Sequence, residues 1–294
     1  MQFRCPCSAL VLVALGFALA FSTPRRSDAQ VFTFNSGAPD GLMATASRPG
    51  VGGKIEIESA DDFLLSSQTR ITTATFTGLL TGVNPTVNSV DVEIYRIFPL
   101  DSTTPPSGNV PTRTNSPSDN VFAVRDSTLS NSLTFTQTTL SASFTASNSV
   151  LNGINKIPNQ MTGGEGAVTG VEVQFNLTFP TFLDLPADHY FFIPQVSVTN
   201  GEFYWLSTAK PISGAGTTPF VPDLQEWIRN ANLDPDWLRV GTDIVGGVTP
   251  PTFNDSFSLS GTVVPEPSTW VTMIVGWGAL VGAARLRRQR AARG

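Results

Sequence analysis

From about residue 31 to residue 263 the chain alternates apolar and polar side chains in short runs, with Gly, Pro, Asn and Asp filling the gaps. Alternation of period two is the mark of a strand with one face in a core. The clearest runs are 71–80 (ITTATFTGLL) and 89–98 (SVDVEIYRIF). In the second, Val90, Val92, Ile94 and Arg96 point one way and Asp91, Glu93, Tyr95 and Ile97 the other, which predicts a core face and a wet face. Further strands are predicted at 31–35, 54–58, 62–65, 121–126, 132–140, 170–179, 189–198, 202–207 and 253–263. Many short strands without intervening helices predict an all-β fold, a single β-sandwich of jelly-roll-like build. No internal repeat is evident.

Two internal segments break the pattern. Residues 99–119 hold five prolines and read as a long surface loop. Residues 220–229 (FVPDLQEWIR) read as a short helix, Asp223 capping it and Leu224, Trp227 and Ile228 facing the core.

Uninterrupted apolar runs stand at both ends. Arg4 precedes a thirteen-residue run, 9–21, and then STPRRSDA. A basic start and an apolar stretch too short to span a bilayer read as a Sec signal peptide. Ala20 and Ala29 both close small-x-small sites; cleavage after Ala29 is preferred because strand-like sequence begins at Val31. Arg25-Arg26 follows the apolar run, which argues against a twin-arginine signal. At the other end, residues 269–284 carry no charge and are followed by Arg285, Arg287, Arg288, Arg290 and Arg293. As a helix these sixteen positions span roughly 24 Å, a little short of the ~30 Å hydrocarbon core of a bilayer. The arginines read as a cytoplasmic stop, with everything before the helix outside.

Immediately before that run stands Val264-Pro265-Glu266-Pro267-Ser268-Thr269-Trp270. This motif, the Gly-containing apolar helix and the Arg-rich end together resemble the PEP-CTERM sorting signal of Gram-negative bacteria, over about one-tenth of the chain. The resemblance implies recognition at the inner membrane by an exosortase, a membrane-embedded cysteine transpeptidase. It further implies processing near the motif and export to the cell surface or extracellular matrix. Pro265, Glu266 and Pro267 would then be a substrate's recognition element and not catalytic groups. The expected organisation is a signal peptide (1–29), a β-sandwich ectodomain (30–263) and a sorting signal (264–294), the last made of the motif at 265–267, a transmembrane helix at about 269–284 and a basic tail at 285–294. The expected partners are the Sec machinery, the exosortase and, before processing, the inner membrane.

Setting the two ends aside changes the composition. The formal charge of the whole chain is −5, but residues 30–264 hold ten Lys+Arg against twenty-one Asp+Glu, a net of −11. Such a domain is unsuited to nucleic acid. Cys5 and Cys7, the two cysteines, both precede the preferred cleavage site, so a mature chain would rely on packing and hydrogen bonds without disulfides.

Candidate chemistry is sparse. Trp205, Trp227 and Trp237 cluster in the last third of the domain, and their indoles could stack on pyranose rings of an exopolysaccharide; core packing is the competing reading. His189, the sole histidine, reads as structural, since no G-x-S-x-G elbow accompanies it. Acidic pairs at Glu56/Glu58, Asp61/Asp62 and Asp234/Asp236 leave a glycosidase chemically open, with solvated surface as the default. Asp223, Asp234 and Asp236 are oxygen donors of the type Ca²⁺ takes, without an EF-hand spacing. One histidine and no mature cysteine offer no zinc set, and Gly50, Gly52 and Gly53 lack the Lys-Ser/Thr of a phosphate loop. No cofactor is implied. Three functions follow: a non-enzymatic surface or biofilm-matrix protein, a carbohydrate-binding module, and a secreted glycoside-acting enzyme. The first is the primary expectation.

Overall fold

The computed structural model describes residues 30–103, 107–155, 161–212, 214–264 and 276–278. In chain order the strands are β1 (Val31–Asn35), β2 (Pro39–Ala46), β3 (Ile57–Leu65), β4 (Thr69–Ile97), β5 (Pro117–Asp126), β6 (Thr134–Ala146), β7 (Asn148–Val150), β8 (Val168–Leu185), β9 (Asp188–Thr208), β10 (Trp227–Asn230), β11 (Leu238–Arg239), β12 (Asn254–Asp255) and β13 (Phe257–Val263). One π-helical turn, Val240–Val245, follows β11. The protein is all-β: a large, curled, mainly antiparallel sheet in the order β1-β13-β4-β9-β3-β10-β11, with β8 and β6 branching from β4 and β5 also pairing with β4.

The curl comes from two very long strands that change neighbours. Residues 69–76 of β4 lie between β13 and β8, residues 78–80 between β9 and β8, and residues 91–95 between β9 and β5. β9 pairs with β3 through residues 188–192 and with β2 through residues 204–208. Four predicted strands are thus two. The turn residues that separated them (Gly82, Asn84 and Pro85 in β4, Asn200 and Gly201 in β9) form a bulge instead of a reversal. Gly82 pairs with Gly201, the register then shifts, and Thr86 pairs with Thr199. Gly82 (φ +104°), Asn84 (φ 51°) and Asn200 (φ 61°) all take positive φ there, as bulges favour Gly and Asn.

Phenylalanine fills the main core. Phe76 stacks on Phe175 at 4.8 Å and Phe192 on Phe257 at 5.1 Å, with Phe203 and Trp205 edge-on to these pairs. Val90, Val92 and Ile94 join this cluster as their alternation predicts. The opposite face of that strand differs from expectation. Tyr95 is buried in a second cluster with Ala60, Phe191, Ile193, Trp227 and Trp237, because the layer carrying β10 and β11 covers it. A third cluster gathers Met43, Ile57, Leu206, Ile228, Leu238 and Ile244.

Two further expectations change, and one strand carries no signal in the sequence. Residues 220–229 are not a helix: Trp227–Asn230 is a strand on β3, with Arg229 directly opposite Glu58. Its sheet partner supplies hydrogen bonds that an isolated turn of helix would not. The 99–119 loop ends in β5 at Pro117, and it is not wholly superficial, since Val110, Arg113 and Ser116 are buried. β2, rich in Gly, Pro and Ala, carries no strand signal in its residues and forms because β7 and β9 flank it.

Candidate functional site

The chemistry of the described residues is concentrated along β3. Its sequence, IESADDFLL, puts three acidic side chains in a strand covered on both faces, and Glu58, Asp61 and Asp62 are each at most 3% exposed. Alternation sends Glu58, Ala60 and Asp62 to one side and Ile57, Ser59, Asp61 and Phe63 to the other. The default of solvated surface therefore fails for these residues.

On the first side, Glu58 meets Arg229 of β10. The guanidinium is bidentate, with Nη2 donating to Glu58 Oε1 at 3.1 Å and Nε donating to Oε2. Nη2 also donates to the Tyr95 hydroxyl at 2.9 Å, which in turn donates to Glu93 Oε2 at 2.9 Å. The cation lies 4.3 Å from the ring centre of Trp237 and 5.4 Å from that of Tyr95. A buried, stacked, bidentate arginine is the arrangement for which guanidinium is better suited than ammonium. Although burial opposes charge, Glu58 and the other partners raise the guanidinium above its ordinary range, while burial and Glu58 raise Tyr95. Further along, Arg113 pairs with Asp119 and with Asp236 (3.0 Å) and lies 4.5 Å over Phe98. It fastens the 99–116 loop to the turn after β10.

The other side carries carboxyls without a matching cation. Asp61, Glu226 and Asp255 are 1%, 0% and 0% exposed and come from β3, the segment before β10, and β12. Asp61 Oδ2 accepts the Asp255 backbone N–H at 2.8 Å, whereas the side-chain oxygens of Glu226 and Asp255 are buried without a hydrogen-bond partner among the described contacts. Burial raises all three well above the ordinary carboxylate range, Glu226 to about 8, and Asp255 is raised further by Glu226 and Asp61. Back on the Glu58 side of the strand, His189 Nε2 lies 2.5 Å from Asp62 Oδ2, its ring edge-on to Phe220 at 5.4 Å. Burial raises Asp62, with His189 opposing the shift. Lys210 is saturated elsewhere, donating to Asp223 O (2.9 Å), Asn254 Oδ1 (3.0 Å), Asp223 Oδ1 (3.3 Å) and the Leu224 carbonyl.

These contacts relocate the candidate residues. Trp205, Trp227 and Trp237 are 0%, 2% and 0% exposed, so no indole face is offered to a sugar. The Trp205 N–H donates to Ser256 O at 3.0 Å, and the other two indoles line the Arg229 cluster. Asp223, Asp234 and Asp236 are engaged by separate protein partners. Asp223 serves Lys210 and Asn254, Asp234 serves Arg229 at 2.6 Å, and Asp236 serves Arg113 and Ser107. Among the described residues no three His, Cys, Asp or Glu side chains are placed to hold a metal ion. No serine or threonine hydroxyl hydrogen-bonds to His189 among the described contacts. A shallow depression of about 250 Å³, lined by Lys210, Asp223, Leu224, Gln225, Trp227 and Arg239, lies over this region. It reaches neither exposed indoles nor a free carboxylate pair. What the arrangement does is join β3, β9, β10, β12 and the 99–116 loop through buried polar contacts.

Sequence reasoning missed Glu58–Arg229 and the Asp61–Glu226–Asp255 group. The available signal was an acidic pair inside the strand-like run ADDFLL. Ala29, Pro265, Glu266, Pro267, Arg285, Arg287, Arg288 and Arg290 lie outside the described residues, as does most of the predicted membrane helix. Gly276–Gly278 is a helical fragment, and among the described residues no helix is long and apolar enough to cross a membrane. Comparison with protein-family models, curated proteins and solved structures finds no match for this chain.

Proposed function

We propose that this chain is an exported, non-enzymatic surface or extracellular-matrix protein. Its β-domain, of sandwich and jelly-roll-like build, is delivered by a Sec signal peptide and sorted through the Pro265-Glu266-Pro267 motif, an apolar helix and the terminal arginines. The observation that carries the reading is the order of those parts at the end of the chain, Val264 to Arg293. An exosortase-type transpeptidase and the inner membrane are the partners it requires.

The domain's geometry is compatible with that route. Val31 at the start of β1 pairs with Thr262 at the end of β13, and the Val263 N–H donates to Gln30 O at 2.8 Å. Both ends of the domain therefore leave from the same end of the β1–β13 pair, and processing there would not require any strand to leave the sheet. The buried carboxyls and indoles favour a structural role over glycan stacking or glycoside cleavage, both of which need groups a polymer can touch.

The test is cell fractionation with mass spectrometry of the mature C-terminus. Wild-type protein should be found outside the inner membrane without Arg285–Gly294. Replacing Pro265, Glu266 and Pro267 by alanine should trap the precursor in that membrane. Wild-type protein retaining its arginines in the inner membrane would refute the reading.

A further inference from the structure

The sheet has several strands hydrogen-bonded to one neighbour: β1, β5, β6, β7, β11 and β12. Such edges offer unpaired backbone N–H and C=O groups to other chains, and proteins blunt them by shortness, charge, proline or bulges. β1, β7, β11 and β12 have five residues or fewer. β5 has ten, but it begins at Pro117 and carries Asp119, Arg125 and Asp126. β6 is longer, at thirteen residues (TFTQTTLSASFTA), with neither proline nor charge.

Its setting adds to the contrast. Residues 127–155 contain no Asp, Glu, Lys, Arg or His, the longest such stretch between residues 30 and 264. β6 pairs with β8 alone, and its register is unbroken from Thr134 (opposite Thr178) to Thr139 (opposite Val173) before irregularities at Ser141 and Phe144. Past that point Ser147 N donates to Gly41 O at 2.9 Å, so β2 closes the far end. No backbone hydrogen bond other than those to β8 involves residues 134–139 among the described contacts. Thr134, Thr136, Gln137, Thr138 and Thr139 are exposed, and Phe135 anchors the strand by packing 6.2 Å from Phe175.

We infer that the 134–139 edge of β6 is a self-association surface, where β6 of a second copy adds in antiparallel register across a two-fold axis. The occupant follows from charge. A domain of formal net charge −11, still negative when its few buried carboxyls hold protons, repels its own copies over most of its surface, and β6 lies in the stretch that adds nothing to that repulsion. An uncharged edge also has no means of selecting a basic or acidic foreign strand, whereas an antiparallel pair of identical strands is self-complementary by symmetry. Main-chain hydrogen bonds supply the contact, as in other cases of strand addition, with facing Thr side chains adding cross-strand contacts. This is a property of the β-domain and holds whether or not the sorting reading does.

Sedimentation velocity on the full-length chain in mild detergent over a range of concentrations tests it, beside the Thr136→Lys/Thr138→Lys double variant. The wild type should form dimers with rising concentration. The variant should stay monomeric with an unchanged circular dichroism spectrum and melting temperature. If the lysines perturb folding, single cysteines in a Cys5→Ser/Cys7→Ser background take their place: Thr136→Cys should cross-link between copies and Val121→Cys on β5 should not. A wild type monomeric at every concentration, equal cross-linking at both positions, or association that survives the lysines but vanishes when residues 265–294 are removed would each overturn the inference.

Discussion

At the scale of single residues, the buried ion pair between Glu58 and Arg229 shows how much a charge depends on its partner. In water such a pair contributes little, but here both members are buried and the guanidinium is fixed by Tyr95 and Trp237 as well. Arg229→Met should leave Glu58 buried and unpaired, at a cost of about 3–5 kcal/mol. Replacing Glu58 by Leu in the same molecule should recover much of that loss, because the uncompensated charge is then gone. Denaturant unfolding of the two singles and the double measures both effects. A double variant as unstable as the sum of the singles would show that packing, and not charge compensation, dominates this site.

At the scale of elements, the bulge joining β4 and β9 gives the sheet its curl. A Cβ added to Gly82 would lie 2.2 Å from Asn200 O, at a φ of +104° that L side chains rarely adopt, and one added to Gly201 would lie 1.9 Å from Thr81 O. Neither neighbour is a flexible side chain that could move aside. Gly82→Ala is expected to cost on the order of 1–3 kcal/mol from backbone strain, with the steric clash adding to it. Because both halves of the β4–β9 ladder meet there, the loss should appear as a lower denaturant midpoint with an unchanged slope. Wild-type stability in Gly82→Ala would mean that the ladder can slide around the bulge.

At the scale of the whole molecule, the carboxyls give the fold a preference for acid. Asp61, Glu226 and Asp255 are raised by burial, and Asp91 is raised to about 7 by burial and by Asp126, its register partner on β5. A raised carboxyl means that the native state holds protons the unfolded chain has released. Stability from these groups is full below the ordinary carboxylate range near pH 4 and declines as pH rises toward about 8, the value for Glu226. Asp126, held below its ordinary range by its bonds to Thr128 and Asp91 despite partial burial, acts in the opposite sense, but only in more acid solution. The melting temperature should therefore be higher at pH 5 than at pH 8, by several degrees for a difference of roughly 1–3 kcal/mol. Glu226→Gln with Asp255→Asn should flatten that dependence in calorimetric scans; an unchanged slope would place its origin elsewhere.

Alternation alone established the all-β class and most of the strand positions, because period two survives in any half-buried sheet. It also identified the core face of residues 89–98. The proposed sorting route likewise rests on sequence alone, on the order of motif, apolar run and arginines from Val264 to Arg293. Only the tertiary structure decided which turn signals become bulges and which faces are covered twice. Gly82 and Gly201 have the composition of a reversal and act as a kink because β4 and β9 remain paired on both sides of them. Tyr95 and the indoles of Trp227 and Trp237 carry no sign in sequence that another layer closes over them. Glu58 and Arg229 stand 171 residues apart and meet because β10 docks on β3. Burial and long-range partners are properties of the packed chain, and they turned expected surface acids into internal ones.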